Sequence, residues 1–347
     1  MANKLKAGII GCGGIANGKH MPSIKALGET ELVAFCDLII ERAEKAKAQY
    51  GTEDAQVFTD YKELLKLDLD CVYVCTPNRS HSYITVDALH AGKNVMCEKP
   101  MAKTAADARA MVEAAKKSGK KLTIGYQHRH KPEARYLKSV IERGDLGDIY
   151  YAHAYAIRRR GTPNWGVFLN EYEQGGGPLI DIGIHMLDAA MYVLGFPAVK
   201  SVTAHSFQKI GTQKSCGQFG EWDPATYSVE DSLFGTIEFH NGGILWLETS
   251  FALNIREQSI MNVSFCGDKA GATLFPAHIY TDNNGELMTL MQRELADDNR
   301  HLRSMEAFIN HVQGKPVMIA DAEQGYIIQQ LVAALYQSAE TGTRVEL

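Results

Sequence analysis

Residues 6–37, KAGIIGCGGIANGKHMPSIKALGETELVAFCD, contain the pattern that indicates the class of the first domain. It opens with a short apolar run, Ala7 to Ile10, that a glycine ends at once, as expected of a buried strand. The next six residues, Gly11 to Ala16, read GCGGIA and fit the pattern G-x-G-x-x-A. A helical segment and a second apolar run, Glu31 to Cys36, follow, and Asp37 closes the unit. This order of strand, glycine turn, helix, strand and acid predicts a Rossmann-type unit that binds a dinucleotide.

Each small residue of the glycine turn has its own predicted role. Gly11 permits the tight turn, Gly13 lets the backbone approach a pyrophosphate, and Ala16 allows the helix to pack closely on the strand. The amides that open the helix face the anion. The predicted cofactor contacts in this turn are Gly11, Gly13, Gly14, Ile15 and Ala16.

Asp37 bears on which dinucleotide binds. It lies 21 residues beyond Ala16, where a carboxylate accepts hydrogen bonds from the ribose of adenosine. A carboxylate there repels a 2′-phosphate, and Leu38 brings no positive charge; Arg42 is the nearest arginine and counts among the predicted cofactor contacts. The sequence therefore favours NAD over NADP. The alternative is that Asp37 merely caps the helix that follows it.

Length and composition set the broad class. The chain has 347 residues, enough for two domains, and 45% hydrophobic with 22% charged residues is typical of a globular protein. The net charge of −5 gives no reason to expect a nucleic-acid or membrane partner. No apolar run approaches the roughly 18–20 residues that span a bilayer. Since the N-terminus runs directly into the first strand and leaves no room for a signal peptide, we expect a cytoplasmic protein.

Cysteine and histidine spacing argues against a metal site. The seven cysteines are odd in number and lack C-x-x-C spacing. Four of them lie in apolar runs and are interpreted as small buried hydrophobic residues: Cys36, Cys71, Cys75 and Cys97. His128 and His130 form a close histidine pair without a third plausible ligand, so we predict no metal.

Beyond Asp37, short apolar strands alternate with helices up to residue 124. This alternation is typical of parallel βαβ units, whose ligands bind at the carboxyl ends of the strands. We therefore predict a doubly wound parallel sheet in a Rossmann domain, residues 1–125. The segments at its carboxyl edge supply the remaining predicted cofactor contacts, which are Thr76, Pro77, Asn78, His81, Glu98, Lys99 and Gln127.

The pattern changes after residue 125 to aromatic-rich, partly alternating runs, the first being IYYAHAYAI at 149–157. Later runs are joined by links such as Asn241-Gly242-Gly243, a hairpin signal. Residues 126–347 are thus predicted to form an α/β domain with a large, mostly antiparallel open sheet. The sequence leaves open whether the two helices near the chain end pack back on the first domain. An exposed sheet face needs covering, which predicts a homodimer or homotetramer.

One stretch of the second domain carries catalytic chemistry, QGGGPLIDIGIHMLD at 174–188. Glycines and a proline precede a helix on which Asp181 and His185 are four residues apart and share a face, with Asp188 near it. A histidine flanked by carboxylates is one way to build a proton acceptor near neutral pH. The competing interpretation is a satisfied core histidine among Ile, Met and Leu.

Four motifs together resemble the Gfo/Idh/MocA oxidoreductases, which include glucose–fructose oxidoreductase and inositol 2-dehydrogenase. They are GIIGCGGIA at 8–16, TPNRSH at 76–81, CEKPMA at 97–102 and GGGPLIDIGIHMLD at 175–188. The resemblance covers essentially the whole chain and implies a pyridine nucleotide as cofactor. It also implies that Lys99 contacts the substrate and the nicotinamide ribose, and that Asp181 and His185 complete the catalytic group.

These roles suit the oxidation of an alcohol. We expect His185 to act as general base, Lys99 to bond the reacting oxygen and Asp181 to position the substrate. Because some family members are proposed to use the lysine as acid/base, the division between Lys99 and His185 stays open. Gln127 departs from the Asn that the family often shows. The predicted substrate contacts are Lys99, Gln127, Arg158, Trp165, Asp181 and His185, with a basic solvated turn as the alternative at 158–160.

The leading hypothesis is an NAD(P)-dependent dehydrogenase, with NAD preferred, that acts on a sugar, glycoside or polyol. One alternative is a redox-assisted glycosidase that uses bound NAD transiently. Another is a non-catalytic regulator of the same fold that senses NAD and sugar. Such regulators tend to lose the catalytic residues, whereas Lys99, Asp181 and His185 are all present.

Overall fold

A computed structural model describes residues 4–291 and 299–347 of the chain. These residues fold as two compact units. The first unit runs up to Gln127 and adds Asn299–Gln329; the second begins at His128 and ends with Gln330–Leu347. Residues 299–329 therefore belong to the first unit. The sequence analysis counts them in the second domain but leaves open that the C-terminal helices pack back on the first.

The first unit is built on a six-stranded sheet in the order β3-β2-β1-β4-β5-β6. Its strands are β1 (Leu5–Ile10), β2 (Thr30–Cys36), β3 (Gln56–Phe58), β4 (Cys71–Val74), β5 (Asn94–Cys97) and β6 (Leu122–Ile124). Its first helices are α1 (Met21–Leu27), α2 (Ile40–Tyr50), α3 (Tyr61–Leu65), α4 (Asn78–His90) and α5 (Ala105–Ser118), and a π-helical turn at Ala16–His20 precedes α1. Every strand pairing in this sheet is parallel, which confirms the predicted doubly wound Rossmann fold.

Burial explains why the sequence pattern finds most of these strands. All four residues of β4 are buried, as parallel strands covered on both faces require, so the strand reads as a continuous apolar run. Cys71 lies in it as a small hydrophobic residue, as predicted. The sequence analysis misses β3, because this strand has three partly exposed residues at the sheet edge and carries no apolar run.

The second unit is built on a nine-stranded sheet in the order β16-β15-β14-β13-β7-β12-β11-β8-β17. Its strands are β7 (Ile149–Arg158), β8 (Val199–Phe207), β11 (Ser232–Phe239), β12 (Ile244–Ser250), β13 (Ser259–Gly267), β14 (Gly271–Thr273), β15 (His278–Asn283), β16 (Glu286–Met291) and β17 (Val345–Glu346). β9 (Cys216–Gly217) and β10 (Gly220–Glu221) form a separate hairpin. The remaining helices of the chain are α6 (Pro132–Glu142), α7 (Glu171–Gln174), α8 (Ile184–Leu194), α9 (Arg300–Val312) and α10 (Ala322–Thr341).

The large sheet is mostly antiparallel, as predicted. Among its described pairings only β7 with β12 is parallel. The hairpin predicted at Asn241-Gly242-Gly243 joins β11 to β12, and the NH of Phe239 donates to the carbonyl of Gly243 at 2.9 Å. β15 and β16 are not predicted, although Asn284-Gly285 between them is the same kind of turn signal.

The two faces of the large sheet differ. Along β7, Ala152, Ala154 and Ala156 are buried, and α8 packs on this strand. The alternate residues Tyr151, His153 and Tyr155 are only half-buried. The homodimer or homotetramer that the sequence analysis derives from such a face stays a prediction.

α8 is the core helix of the second unit. Ten of its eleven residues are buried. The surrounding stretch Glu171–Leu194 is long and apolar enough to cross a membrane, but 89% of its apolar window is buried inside the protein, which is also what a core helix shows.

α9 and the start of α10 complete the first unit. Phe308 of α9 is fully buried and packs edge-on against Tyr73 of β4, with ring centroids 5.3 Å apart. The segment between the two helices continues the sheet beyond β6, because the NH of Ile124 donates to the carbonyl of Ala320 at 2.9 Å. A segment far along the chain thus closes the core of the Rossmann unit.

A buried ion pair ties the start of the second unit to α8. Arg129 and Asp188 are both 0% exposed, and the guanidinium donates to the carboxylate through Nε at 2.9 Å and Nη2 at 2.5 Å. The rings of Tyr192 and Phe196 lie 5.3 and 5.1 Å from the guanidinium carbon. The sequence analysis places Asp188 near His185 but does not predict its partner: both carboxylate oxygens accept hydrogen bonds from Arg129.

We expect Asp188→Asn to lower the free energy of unfolding by about 3–5 kcal/mol, since it leaves the Arg129 charge buried without its counterion. Chemical denaturation of the second unit measures the loss. The double variant Arg129→Met with Asp188→Leu, which removes both charges, should recover most of it. If the double variant is as unstable as Asp188→Asn, the cost does not come from the uncompensated charge.

Candidate active site

The predicted cofactor residues of the first unit share one edge of its sheet. Gly11 follows β1, Asp37 follows β2, Thr76 lies just after β4, and Glu98 follows β5. The parallel ladder continues one residue past the strands, since the NH of Gly11 donates to the carbonyl of Cys36 at 2.8 Å and that of Glu98 to the carbonyl of Val74 at 3.0 Å. The strand ends therefore hold these segments side by side.

Gly11 is required by space and by backbone angle. Its φ is +93°, and a Cβ there would lie 2.7 Å from the carbonyl carbon of Cys75. At Gly13 and Gly14, by contrast, a Cβ would meet no atom of the protein within 4 Å. The turn is therefore closed toward β4 and open at its two following glycines, which fits the close approach of a pyrophosphate.

Both oxygens of Asp37 accept backbone hydrogen bonds. Oδ2 accepts from the NH of Cys12, inside the glycine turn, and Oδ1 from the NH of Ile39, each at 2.9 Å. A carboxylate oxygen can accept more than one hydrogen bond, so capacity for a ribose remains. The alternative that Asp37 caps the next helix is not supported, because Ile39 is the residue before α2 and no side chain caps that helix. Asp37 instead joins the glycine turn to Ile39. Arg42 is exposed on the first turn of α2.

His81 joins two of the predicted cofactor segments through their backbones. It is 1% exposed; Nδ1 lies 2.7 Å from the carbonyl oxygen of Pro100 and Nε2 lies 2.8 Å from that of Thr76. Burial lowers the pKa of His81, and the two hydrogen bonds, which raise it, offset only part of this shift. His81 thus holds the Thr76–Asn78 segment against the residue that follows Lys99.

The carboxylate of Glu98 likewise makes its contacts within the first unit. Nε2 of His20 lies 2.6 Å from Oε1, and Oε2 accepts from the backbone NH of Lys99 at 3.1 Å. Burial alone raises the pKa of Glu98, but the hydrogen bond and charge of His20 and the charge of Lys99 hold it below its usual value. A Cβ at Gly125 would lie 3.0 Å from Oε1, so glycine there leaves room for the carboxylate. The π-helical turn and the Lys99 segment are therefore linked through Glu98.

Lys99 itself is half-buried and belongs to the first unit, as does Gln127 at its end. Asp181, His185, Arg158 and Trp165 belong to the second unit. Of the three predicted catalytic residues, the second unit brings Asp181 and His185 together on one helical run.

That helical run begins as a π-helical turn, Leu179–Gly183, and continues as α8. Asp181 lies in the π-helical turn and is half-buried, whereas His185 is 8% exposed. The ring of His128 packs against that of His185 with centroids 5.1 Å apart. Short π-helical segments occur frequently at functional sites, where they re-aim side chains.

The glycines before this run serve close packing. A Cβ at Gly176 would overlap the hydroxyl of Tyr336, and one at Gly177 would overlap the carbonyl oxygen of Glu230. The Glu230 carboxylate accepts from the NH of Gly177 at 2.7 Å, from the NH of Leu179 at 3.2 Å and from the Tyr336 hydroxyl at 2.9 Å. Glu230 thereby satisfies the amides that open the helical run, close to Asp181 in the chain.

Arg158 is a half-buried residue at the end of β7, and the charge of Asp181 acts on it. Burial lowers the pKa of Arg158, and the Asp181 charge opposes that shift. The guanidinium donates through Nη1 to the carbonyl of Gly161 at 3.2 Å. A half-buried, persistently charged arginine beside a carboxylate is suited to binding hydroxyl groups. The alternative of a basic solvated turn therefore fits Arg159, which is exposed, better than Arg158.

Across residues 4–291 and 299–347, no group of three or more His, Cys, Asp or Glu side chains is placed to hold a metal ion. The absence of a metal cofactor stays a prediction.

Two family models match the chain over nearly its whole length. The model described as "Oxidoreductase family, NAD-binding Rossmann fold" matches residues 5–126. The model described as "Oxidoreductase family, C-terminal alpha/beta domain" matches residues 138–347, more than half of the chain. The chain belongs to the Gfo/Idh/MocA oxidoreductase family. The resemblance drawn from the four sequence motifs is confirmed.

Curated relatives of this Gfo/Idh/MocA member include two that match end to end. D-glucoside 3-dehydrogenase of Escherichia coli (strain K12) is 70% identical over 347 residues, covering 100% of this chain and 98% of that protein. 1,5-anhydro-D-fructose reductase of Ensifer adhaerens is 28% identical, covering 98% of each. Among solved structures, aldose-aldose oxidoreductase from Caulobacter crescentus complexed with glycerol has a TM-score of 0.82 at 26% identity, covering 99% of this chain and 100% of that chain.

These findings show that the protein is an enzyme of the Gfo/Idh/MocA family. It is a sugar or polyol dehydrogenase that acts on a CH–OH group and has an NAD-binding Rossmann domain.

Sequence reasoning missed several residues that build this Gfo/Idh/MocA site. His20 and Glu230 are distant in sequence from the groups that they hold, and no short-range spacing points to them. A signal did exist for Arg129, since a charged residue close to buried segments requires a counterion, and Asp188 is an acid among Ile, Met and Leu.

We expect acid to destabilise the second unit through His130, which is 5% exposed. Burial, with the charges of Arg129 and Arg135, lowers its pKa to about 4, whereas an unfolded histidine titrates near 6.5. Since the unfolded state binds more protons between these values, the stability is fully present above about pH 6.5 and is lost as pH falls toward about 4.

His130→Gln should remove about 2 kcal/mol of the fall in unfolding free energy between about pH 7.5 and about pH 5, as measured by denaturant titration. The matched control His205→Gln, at an exposed position on β8, should keep the wild-type pH dependence. An unchanged slope in His130→Gln would contradict the assignment.

Proposed function

We propose that the enzyme is an NAD-preferring dehydrogenase of D-glucosides that oxidises the hydroxyl at position 3 of the sugar. The observation that carries this proposal is the 70% identity, over the full length of the chain, to a protein named D-glucoside 3-dehydrogenase. The Lys99, Asp181 and His185 set is complete in this chain, as an active dehydrogenase requires.

The first unit supplies the cofactor contacts of the proposal. The open space at Gly13 and Gly14 and the closed turn at Gly11 fit the pyrophosphate of a dinucleotide. The Asp37 carboxylate supports the preference for NAD, since it would repel a 2′-phosphate. When bound, NAD supplies the nicotinamide that accepts a hydride.

The protein groups orient the substrate and move the proton. In the second unit, His185 is the group that takes the hydroxyl proton, at a ring nitrogen. In the first unit, the Lys99 ammonium is the group suited to stabilise negative charge on an oxygen of the substrate. Asp181 accepts a hydrogen bond from a sugar hydroxyl and, with Arg158, fixes the ring in place. Gln127 is a further candidate for a substrate or cofactor contact.

Two alternatives gain no support from the relatives. A redox-assisted glycosidase would release free sugar without net NADH, and a regulator would bind sugar without turnover. The two end-to-end relatives are named as a dehydrogenase and a reductase.

The first prediction of this proposal concerns substrate and cofactor. With methyl D-glucoside and NAD, the near-ultraviolet absorbance of NADH should rise, and NADP should give a slower rise at equal concentration because of Asp37. Chromatography of the same reactions should show a keto glycoside with the glycosidic bond intact. Release of free sugar without formation of NADH would favour the glycosidase. No NADH and no product with any glucoside tested would overturn the proposal.

The second prediction concerns the proton-transfer groups. Lys99→Ala and His185→Ala should each lower kcat by about 100- to 10,000-fold, the usual contribution of general acid–base catalysis. NAD binding by His185→Ala, followed by calorimetry, should stay near the wild-type value. Lys117→Ala on α5 and His205→Ala on β8 are matched exposed controls and should keep wild-type rates. Near-normal turnover in either site variant would remove that residue from the mechanism.

A further inference from the structure

Aromatic rings from the segment after β7 and from the β9–β10 hairpin form an ordered cluster on the second unit. Trp165 is 51% exposed and Phe219 is 39% exposed, yet their rings meet edge to face with centroids 5.0 Å apart. The ring of Phe168 also meets Trp165 edge to face, with centroids 6.1 Å apart. We call Trp165, Phe168 and Phe219 the aromatic platform.

Hydrogen bonds join the two segments that carry the platform rings. Phe219 lies in the turn of the β9–β10 hairpin, and the neighbouring Gln218 donates from its NH to the carbonyl of Arg160 at 2.9 Å. The side chain of Gln218 donates to the carbonyl of Arg159 at 2.7 Å, and the Asn164 amide donates to the carbonyl of Phe219. These bonds join the hairpin to the segment that carries Trp165.

A small hydrophobic core supports the same region. Trp222, Tyr227 and Val229 are buried together, with Leu169 and Ile210 packed against them. The indole NH of Trp222 donates to the carbonyl of Gly211 at 2.8 Å. The platform rings are therefore presented on a packed layer, and less side-chain entropy is lost when a ligand covers them.

Arg158 connects the platform to the catalytic helix. Its guanidinium carbon lies 5.6 Å from the centroid of Phe219, within cation–π range, and the charge of Asp181 acts on the same group. The order Asp181, Arg158, Phe219, Trp165 thus passes from charged groups, which are suited to binding hydroxyls, to aromatic rings. A substrate with a polar ring at one end and a flat apolar group at the other matches this order.

We propose that the aromatic platform is a subsite for the aglycone, the group on the anomeric oxygen of the glucoside, and that it selects aglycones that contain a ring. The proposal rests on the proposed function, because it takes the sugar ring to bind at Asp181, Arg158 and His185. An aryl ring and a second sugar ring both offer a flat face for stacking on Trp165.

The experiment compares methyl D-glucoside, phenyl D-glucoside and a glucose disaccharide as substrates of the full-length enzyme. The wild type should show a higher kcat/KM for the ring-bearing substrates, expressed mainly in KM. In Trp165→Ala and Phe219→Ala, the ratio of kcat/KM for phenyl over methyl glucoside should fall about threefold to tenfold, the size of an aromatic pair interaction. Trp165→Phe should restore part of the ratio.

Tyr172→Ala is the matched control, because Tyr172 is an aromatic residue 66% exposed in the same segment and outside the platform. It should keep the wild-type ratio. A ratio unchanged in both platform variants, or lowered equally by Tyr172→Ala, would overturn the subsite. A fall for phenyl glucoside alone identifies aryl aglycones, and a fall for the disaccharide alone identifies a second sugar.

Calorimetric binding of phenyl and methyl glucoside separates this proposal from the function. If the wild type oxidises methyl glucoside without any preference for ring-bearing substrates, the function stands and the subsite is wrong. If no glucoside is oxidised but phenyl glucoside binds more tightly than methyl glucoside, and Trp165→Ala abolishes the difference, the subsite stands and the proposed reaction is wrong. Equal binding in that case overturns both.

Discussion

The buried ion pair between Arg129 and Asp188 is the contact on which the organisation of the second unit depends. Neither side chain reaches water, so each charge is tolerated only because the other is there. Arg129 enters from the first residues of the unit, and Asp188 lies one turn beyond His185 on α8. Any shift of α8 relative to these residues would separate the charges. The pair therefore fixes the helix that carries the candidate base.

Close packing fixes the same helix from its other end. The glycine run before it lets Tyr336 and the Glu230 backbone approach, and a Cβ at Gly183 would overlap Cγ2 of Thr249 on β12. The Glu230 carboxylate then satisfies the first amides of the run. The glycines are thus explained by neighbours inside the protein, and Asp181 is positioned as a consequence.

The sequence alone predicts those elements that depend on residues close together along the chain. The continuous apolar run of β4, the glycine turn at Gly11 and the hairpin at Gly242 all depend on neighbours along the chain, and each was predicted. Short, partly exposed strands such as β3 leave no periodic pattern, so the sequence does not predict them.

Contacts between residues that are distant in sequence cannot be predicted in this way. Asp188 lies three residues beyond His185 on one helix, but this spacing does not show that Arg129 donates to its carboxylate. His20 and Glu230 are recognisable only once the fold brings them to Glu98 and Gly177. For the candidate site, the sequence identified the residues with conspicuous motifs and missed those that hold them in place.

The two oxygens of Asp37 have a consequence for protein engineering. The group that would discriminate between the two dinucleotides is also the group that pins the glycine turn, through Cys12, and the start of the next helical segment, through Ile39. The proposed preference for NAD and the order of the glycine turn therefore depend on the same side chain. A redesign toward the phosphorylated dinucleotide has to replace two backbone anchors along with one charge, and a single exchange at this position trades selectivity against the rigidity of the loop.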